Sequence, residues 1–338
     1  MAKVALVYNL IHPERLERLP PDGLAEYDSE ETIATLKLAL EAGGHTVQLL
    51  EADEKIMGRL MAAQPDVVFN IAEGLRGESR ESHIPAICEM LGIHYTGSGP
   101  LTLAICLNKA RAKEVLLHYG IPTPRFQVVE SPAASLNPDL SFPLIVKLLQ
   151  EGSSMGLSEN SIVDDSAALE RQVAYLIETY REPVIVEEFI EGREFTVGVL
   201  GNDPPCILPV TELVFSKLRG IVLFAPDPET IRRFPGLWEG AVSPTLHRSI
   251  CPAALSPELQ EQIEHTALRA FQSLGCRDWC RMEMRLGPDG LLYVLELNPI
   301  AGIDASYWLA RSAQVAGLSY PAFVNQILNH ALARNGHC

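Results

Sequence analysis

The chain has 338 residues, 47% hydrophobic and 21% charged, which is enough for two or three domains around a sizeable core. Its 27 basic residues stand against 43 acidic ones, a net charge of −16 without basic clusters, and this excludes a nucleic-acid partner held through the phosphate backbone. No apolar run approaches the ~20 residues of a spanning helix, and Met1–Val4 enters a strand pattern without a signal-peptide core, so a cytoplasmic protein with no membrane partner is expected.

Val4–Tyr8 is a short apolar run suited to a buried parallel strand. Asp28-Ser29-Glu30-Glu31 opens a helix with a capping-box pattern; it carries Ile33, Leu36 and Leu40 and stops at Gly43-Gly44. His45–Leu50 and Asp66–Asn70 read as the next strands, and this alternation predicts a doubly wound α/β unit. The loop from Asn9 to Tyr27, with Pro20-Pro21 and Asp22-Gly23, follows the carboxyl end of the first strand, where such folds bind ligands; it reads equally as a surface loop. Glycine and polar residues crowd Asn70 to Ser98 around a helix from Ser82 to Leu91, and Gly97-Ser98-Gly99-Pro100 marks a boundary. Asn108–Leu117 is a helix with Lys109 and Lys113 on one side, either solvated or aimed at an anion.

Phe142–Lys147 is a β-branched strand, and Ser158–Val163 reads as another. Between them, Glu151-Gly152-Ser153-Ser154-Met155-Gly156 is either a simple turn or a loop whose backbone N–H groups can approach an anion closely; the Walker pattern is absent. Val184–Gly192 is a strand running into a turn, and Glu194–Leu200 alternates as the next. The acidic residues there suit an adenine and a ribose, or an exposed linker. Pro226–Val242 is irregular and expected to be mobile. Ser256-Pro257-Glu258 starts a helix with Leu259, Ile263, Leu268, Phe271 and Leu274 inward and an end at Gly275.

Trp279–Asn298 predicts a β-hairpin around Gly287-Pro288-Asp289-Gly290. Cys280, Met282, Met284 and Leu286 share one face of its first strand, and Arg281, Glu283 and Arg285 the other; Leu295 and Leu297 take the apolar face of the second, opposite Glu296 and Asn298. If the turn sets the register, Arg281 lies across from Glu296. Glu283, Glu296 and Asn298 then form an oxygen cluster suited to Mg²⁺ shared with phosphate, or an ordinary sheet face with an ion pair. Two helices finish the chain. The seven cysteines lack paired CxxC spacing and read as free thiols, with Cys276 and Cys280 in the core.

In order, Tyr95–Ser98, Asn108-Lys109 with Lys113, Ile145–Lys147 with Glu151–Gly156, Glu187–Glu194, Gly275–Glu283 and Glu296–Asn298 resemble the ATP-grasp ligases, within them the D-alanine–D-alanine ligase-like group. The resemblance implies an α/β ATP-grasp fold with an N-terminal doubly wound domain (1–100), a central lid subdomain (101–186) and a C-terminal catalytic domain (187–338). It implies ATP and two Mg²⁺, with Mn²⁺ as a substitute, and an acid–amine ligation through an acyl phosphate. Lys109 and Lys147 would bind phosphates, and the loop of Glu151, Ser153, Ser154, Met155 and Gly156 would close over them. Glu187, with the backbone of Glu188 and Ile190, would hold adenine, and Glu194 the ribose. Glu283, Glu296 and Asn298 would bind metal; Arg281, Ser153 and the Gly302 N–H would act on the transferring phosphoryl group and the tetrahedral intermediate. Relatives are often homodimers.

The chain departs from that family around both amino-acid pockets: Asn9–Pro13 replaces a glycine-rich turn, Ala72–Glu78 a His-Gly-x-x-Gly-Glu-Asp segment, Trp238–Val242 a Tyr/Lys-bearing loop, and Pro299–Gly302 followed by Ser306-Tyr307-Trp308 the segment near the second substrate's carboxylate. The expected substrates are small molecules, amino acids or amino-acid derivatives. A mycosporine-type cyclohexenone or cyclohexenimine core is the alternative, for which Tyr307 and Trp308 are suited, and a non-ligating nucleotide-binding regulator or phosphotransferase is the rival.

Overall fold

The computed structural model describes residues 1–12, 20, 22–23, 25–132, 134–216, 219–223 and 247–334. The Pro226–Val242 segment, the Trp238–Val242 replacement and residues 13–19 lie outside the described residues.

The chain begins with β1 (Lys3–Tyr8), α1 (Glu30–Ala42), β2 (Thr46–Glu51), α2 (Ile56–Ala63), β3 (Val67–Asn70), α3 (His83–Leu91) and β4 (His94–Tyr95). The strands form a parallel sheet in the order β2-β1-β3-β4. Alternate residues of β1 and β3 serve two cores: Val4, Leu6, Val67 and Phe69 pack toward α1, and Ala5, Val7 and Val68 toward α2 and α3. That double burial is why β1 reads as a continuous apolar run. Ser29 caps α1 by accepting from the Thr32 N–H at 3.1 Å.

Next come α4 (Pro100–Leu107), α5 (Lys109–His118), β5 (Phe126–Val129), β6 (Leu144–Leu148), β7 (Ile162–Val163), α6 (Ser166–Tyr180) and β8 (Val184–Glu188). Their antiparallel sheet has the order β5-β8-β6-β7, covered by α6 through Leu169, Val173 and Leu176. The strand expected over Ser158–Val163 shrinks to two residues. Ser158 and Ser161 cap each other reciprocally and wind Glu159–Ser161 into a 3₁₀ turn.

The remaining elements are β9 (Arg193–Leu200), β10 (Cys206–Ile207), β11 (Thr211–Phe215), β12 (His247–Ile250), α7 (Pro257–Ser273), β13 (Trp279–Leu286), β14 (Leu292–Asn298), α8 (Trp308–Val315) and α9 (Tyr320–Ala333). The sheet runs β12-β11-β9-β13-β14 with β10 on β9. Met282, Met284, Val294 and Leu297 pack beneath it against Ile263, Ala267 and Phe271 of α7. On α7 the inward stripe uses Ala267 and leaves Leu268 half-buried. Helix α9 returns to pack on α1 through Phe323, Val324 and Ile327.

The hairpin register differs from expectation. Leu286 pairs with Leu292, so the connection holds five residues, and a bulge between Glu283 and Met284 shifts the ladder by one more. Arg281 therefore stands opposite Asn298, and Glu283 opposite Glu296. Leu295 is the extra residue of the bulge. It leaves the apolar face and joins Glu296 on the cavity side, while Leu297 stays in the core.

Candidate active site

The central sheet and the larger sheet face each other across a cavity of about 350 Å³. Its lining includes Lys147, Glu187, Glu188, Ile190 and Glu194 from one end and Arg281, Glu283 and Glu296 from the other, with Ser153 and Ser154 above. A smaller cavity of about 100 Å³ adjoins it and is bounded by Lys109, Glu151, Asn298 and Gly302. Ser153, Arg281, Glu296 and Tyr307 line both, so the expected site residues meet at a seam between two compartments. Met155 lines neither. Its side chain is buried in the core under α6, and its N–H donates to the Gly152 carbonyl at 2.9 Å.

Glu187 is fully buried between two lysines, with Lys147 Nζ at 2.7 Å and Lys113 Nζ at 3.2 Å. Burial pushes its carboxyl up, but the lysine charges outweigh this and hold the pKa below the usual value. Lys113 is driven down to about 8, chiefly by burial. It also donates to Thr123 Oγ1 and the Leu295 carbonyl, both at 2.9 Å. Of the two lysines expected on one side of α5, Lys113 is therefore an internal strut. Lys109 reaches the Glu151 carbonyl on the seam.

At the metal-type cluster, Arg281 Nε donates to Glu283 Oε1 at 2.6 Å and Asn298 Nδ2 to Glu283 Oε2 at 2.8 Å, with Glu296 Oε1 at 3.5 Å from the same amide. Burial raises Glu283 to about 7; Arg281 opposes the shift and Glu296 reinforces it. Among the described residues no group of three His, Cys, Asp or Glu could hold a metal alone. Two carboxylates and an amide whose oxygen can turn inward fit a cation that completes its shell with phosphate oxygens and water. The repulsion between Glu283 and Glu296 is what such a cation would relieve.

Four side chains that shape the site, Arg285, Arg80, Asp22 and Glu26, have no role in the sequence reading. Arg285 is buried, donating from Nε to Glu194 Oε2 at 2.5 Å and from Nη1 to the Ile190 carbonyl at 3.0 Å, and it lies over the Phe189 ring at 4.5 Å. Its place beside Arg281 and Glu283 in one alternating face was the signal. Arg80 clamps the loop above the seam, donating to Glu26 Oε2 at 2.7 Å and Glu151 Oε2 at 2.8 Å. Asp22 and Glu26 accept from the Gly156 and Gly152 N–H groups at 2.7 and 2.6 Å, so the loop after β1 fastens the loop after β6. Ser153 and Ser154 sit at φ 47° and 59°, an uncommon left-handed pair that holds the loop tip in a strained turn. A Cβ on Gly302 would lie 2.7 Å from the Tyr307 ring, so that position takes only glycine without a shift.

The six described cysteines are free thiols, with Cys276 and Cys280 buried as expected. Among the described residues no helix is long and apolar enough to cross a membrane.

Residues 115–329 match the family model for the D-ala D-ala ligase C-terminus. The uncharacterized protein y4sG of Sinorhizobium fredii is 32% identical over 88% of this chain and 86% of its own length. A D-alanine–D-alanine ligase of Desulforudis audaxviator is 29% identical over 88% of this chain and 91% of its own. The fold matches the crystal structure of the D-alanine–D-alanine ligase from Bacillus anthracis complexed with ATP, with a TM-score of 0.74, 22% identity and 98% of both chains covered.

Proposed function

Because the chain belongs to the D-alanine–D-alanine ligase-like branch of the ATP-grasp ligases, we propose that it joins a substrate carboxylate to an amine with ATP as the phosphoryl donor. The adenine would lie along β8, with Glu187, the backbone of Glu188 and Ile190, and Glu194 toward the ribose. Lys147, Lys109 and the Ser153-Ser154 tip would meet the phosphates. Glu283, Glu296 and Asn298 would hold Mg²⁺, which supplies charge neutralisation for the transferring phosphoryl group.

The carboxylate attacks the terminal phosphorus and ADP leaves; the amine then attacks the acyl carbon, phosphate departs and the amine loses a proton. Arg281 and the Gly302 N–H would stabilise negative charge on the phosphoryl group and on the tetrahedral carbon. The loop over the seam would keep water from the acyl phosphate.

The observation that carries this reading is the Arg281–Glu283–Asn298–Glu296 cluster at the junction of the two cavities. The test is ADP and phosphate release by the purified protein with ATP and Mg²⁺ over a panel of D- and L-amino acids, with product mass measured. ADP formation that requires an acid and an amine, with an amide product, is the expected result. ADP without any amide product would favour a phosphotransferase, and no response to ATP and Mg²⁺ would end the reading. A mycosporine-type ring substrate is the second reading. It is favoured by Tyr307, Trp308 and His247 together lining the larger cavity, with Arg281 5.6 Å from the Trp308 ring centre.

A further inference from the structure

We propose that Cys106 and Cys276 form an oxidant-sensitive thiol pair: a hydroperoxide entering the smaller cavity converts them to a disulfide and so displaces the groups set for phosphate. The thiol chemistry stands apart from the ligase reading above; only its consequence for turnover rests on that reading.

Three buried thiols lie in one packed cluster, Cys106 at the end of α4, Cys276 in the loop after α7 and Cys280 on β13. The two segments are fastened one helical turn before Cys106, where Thr102 Oγ1 donates to the Leu274 carbonyl at 2.9 Å and lies 3.1 Å from the Gly275 carbonyl. Thr102 and Cys106 are four apart on one helix and share a face, which sets Cys106 against Cys276. Ser98 closes the cluster. Its hydroxyl oxygen accepts from the Arg277 N–H at 3.0 Å, which leaves its proton for the Cys276 sulfur. Hydrogen bonds from Cys106 first and Cys280 next, with Ser98 adding to them, hold the Cys276 thiol down to about 5 against the burial that opposes them.

Of the three, only Cys106 lines the smaller cavity, whose wall it shares with Lys109 and Asn298. Cys280 is fully buried, donates to the Arg281 carbonyl at 3.4 Å and lines neither cavity. A lone thiol in an apolar core is inert, whereas a pair that shares one proton beside a cavity is not. With that proton on Cys276, the Cys106 thiolate attacks one oxygen of the hydroperoxide. An S–O bond forms, the O–O bond breaks, and the departing oxygen takes a proton from water to leave as an alcohol or water. Cys276 then attacks the sulfenic sulfur. The S–S bond forms, the S–O bond breaks, and hydroxide leaves as water with the Cys276 proton, so two thiol sulfurs are oxidised and one peroxide is reduced.

Sulfurs in hydrogen-bond contact must close to about 2.05 Å to bond. Cys106 leads directly into Leu107, the Asn108 cap of α5 and Lys109, and Cys276 leads into β13 and Arg281. Closing the bridge therefore moves Lys109 relative to Arg281, and a misplacement of about 1 Å can cost roughly 100-fold in rate.

The test treats the full-length protein with hydrogen peroxide, alkylates it and maps the cysteines by peptide mass, with ATP-analogue binding and phosphate release followed in parallel. A Cys106–Cys276 bridge is expected, with phosphate release down roughly tenfold or more and restored by dithiothreitol. Cys276→Ser should keep its basal phosphate release, form no bridge and stop at a sulfenic acid on Cys106 that dimedone traps. Cys106→Ser should give neither bridge nor trapped adduct, and Cys280→Ser should still form the bridge. A bridge between Cys276 and Cys280, oxidation confined to Cys206 or Cys338, or a Cys106–Cys276 bridge that leaves phosphate release unchanged overturns the proposal. If the reduced protein releases no phosphate with any substrate, the ligase reading fails instead, and the peptide map of the wild type and the three variants still decides the thiol pair.

Discussion

Arg281 and Asn298 face each other across the β13–β14 ladder and grip the same carboxylate, one on each oxygen of Glu283. The guanidinium and the amide thus fix the orientation of an acid that burial and Glu296 hold near neutrality. Groups placed before charge develops stabilise it without reorganisation. Asn298→Ala and Glu296→Gln are expected to lower kcat by roughly 100-fold or more. Their thermal unfolding should stay close to that of the parent. Wild-type turnover in both variants would remove the cluster from the chemistry.

The side-chain alternation of β13 was legible because period-two patterning survives any register: Met282 and Met284 had to point away from Glu283. Register was not legible. The bulge at Leu295 coincides with the Leu295 carbonyl meeting the buried Lys113 ammonium, a contact between residues 182 positions apart that no local pattern encodes. For the same reason the N-terminal strands could be read from their apolar runs, while the Arg80–Glu26–Glu151 clamp could not: it joins three segments distant in sequence, two of them in polar loops without period.

Lys113 makes a stability prediction. Its ammonium is shared by Glu187, Thr123 and the Leu295 carbonyl in a fully buried setting. Lys113→Ala leaves Glu187 with Lys147 alone and takes the ammonium from the Leu295 carbonyl, while the Thr123 hydroxyl keeps only its bond to the Val294 carbonyl. Removing one partner of a buried pair costs about 3–5 kcal/mol. Urea titration should show a loss of that order, larger than for exposed Arg111→Ala, whose partner Glu114 is on the surface. An equal loss in the two variants would refute the strut role.

Arg285 makes a prediction about nucleotide affinity. It ties Glu194 to the Ile190 carbonyl, spanning the turn between β8 and β9 from below. Arg285→Met is expected to raise the KM for ATP by roughly tenfold or more, with a smaller effect on kcat. The variant also strands a buried carboxylate, so a double variant with Glu194→Gln separates the two effects. Stability should recover in the double variant, and ATP affinity should not. Recovery of both would reduce Arg285 to a counter-ion.

The last prediction concerns pH. Burial, with Asp304 close by, lifts the Asp28 carboxyl from 3.8 to about 8 in the folded chain. Between those values the native state holds a proton that the unfolded chain has released, so this group's contribution to stability falls as pH rises through the window. Below about pH 4 both states are protonated and the contribution vanishes. The backbone of Asp28 stays bonded to Asn9 and Ile11 whatever its side chain carries, so Asp28→Asn keeps the local fold. The variant should melt with the parent near pH 4 and several degrees above it by pH 8, a gap that widens through neutrality. If Asp28 instead keeps an ordinary carboxylate pKa, the two melting curves will run parallel across the whole range, because the charge would then be present in both states at every pH tested.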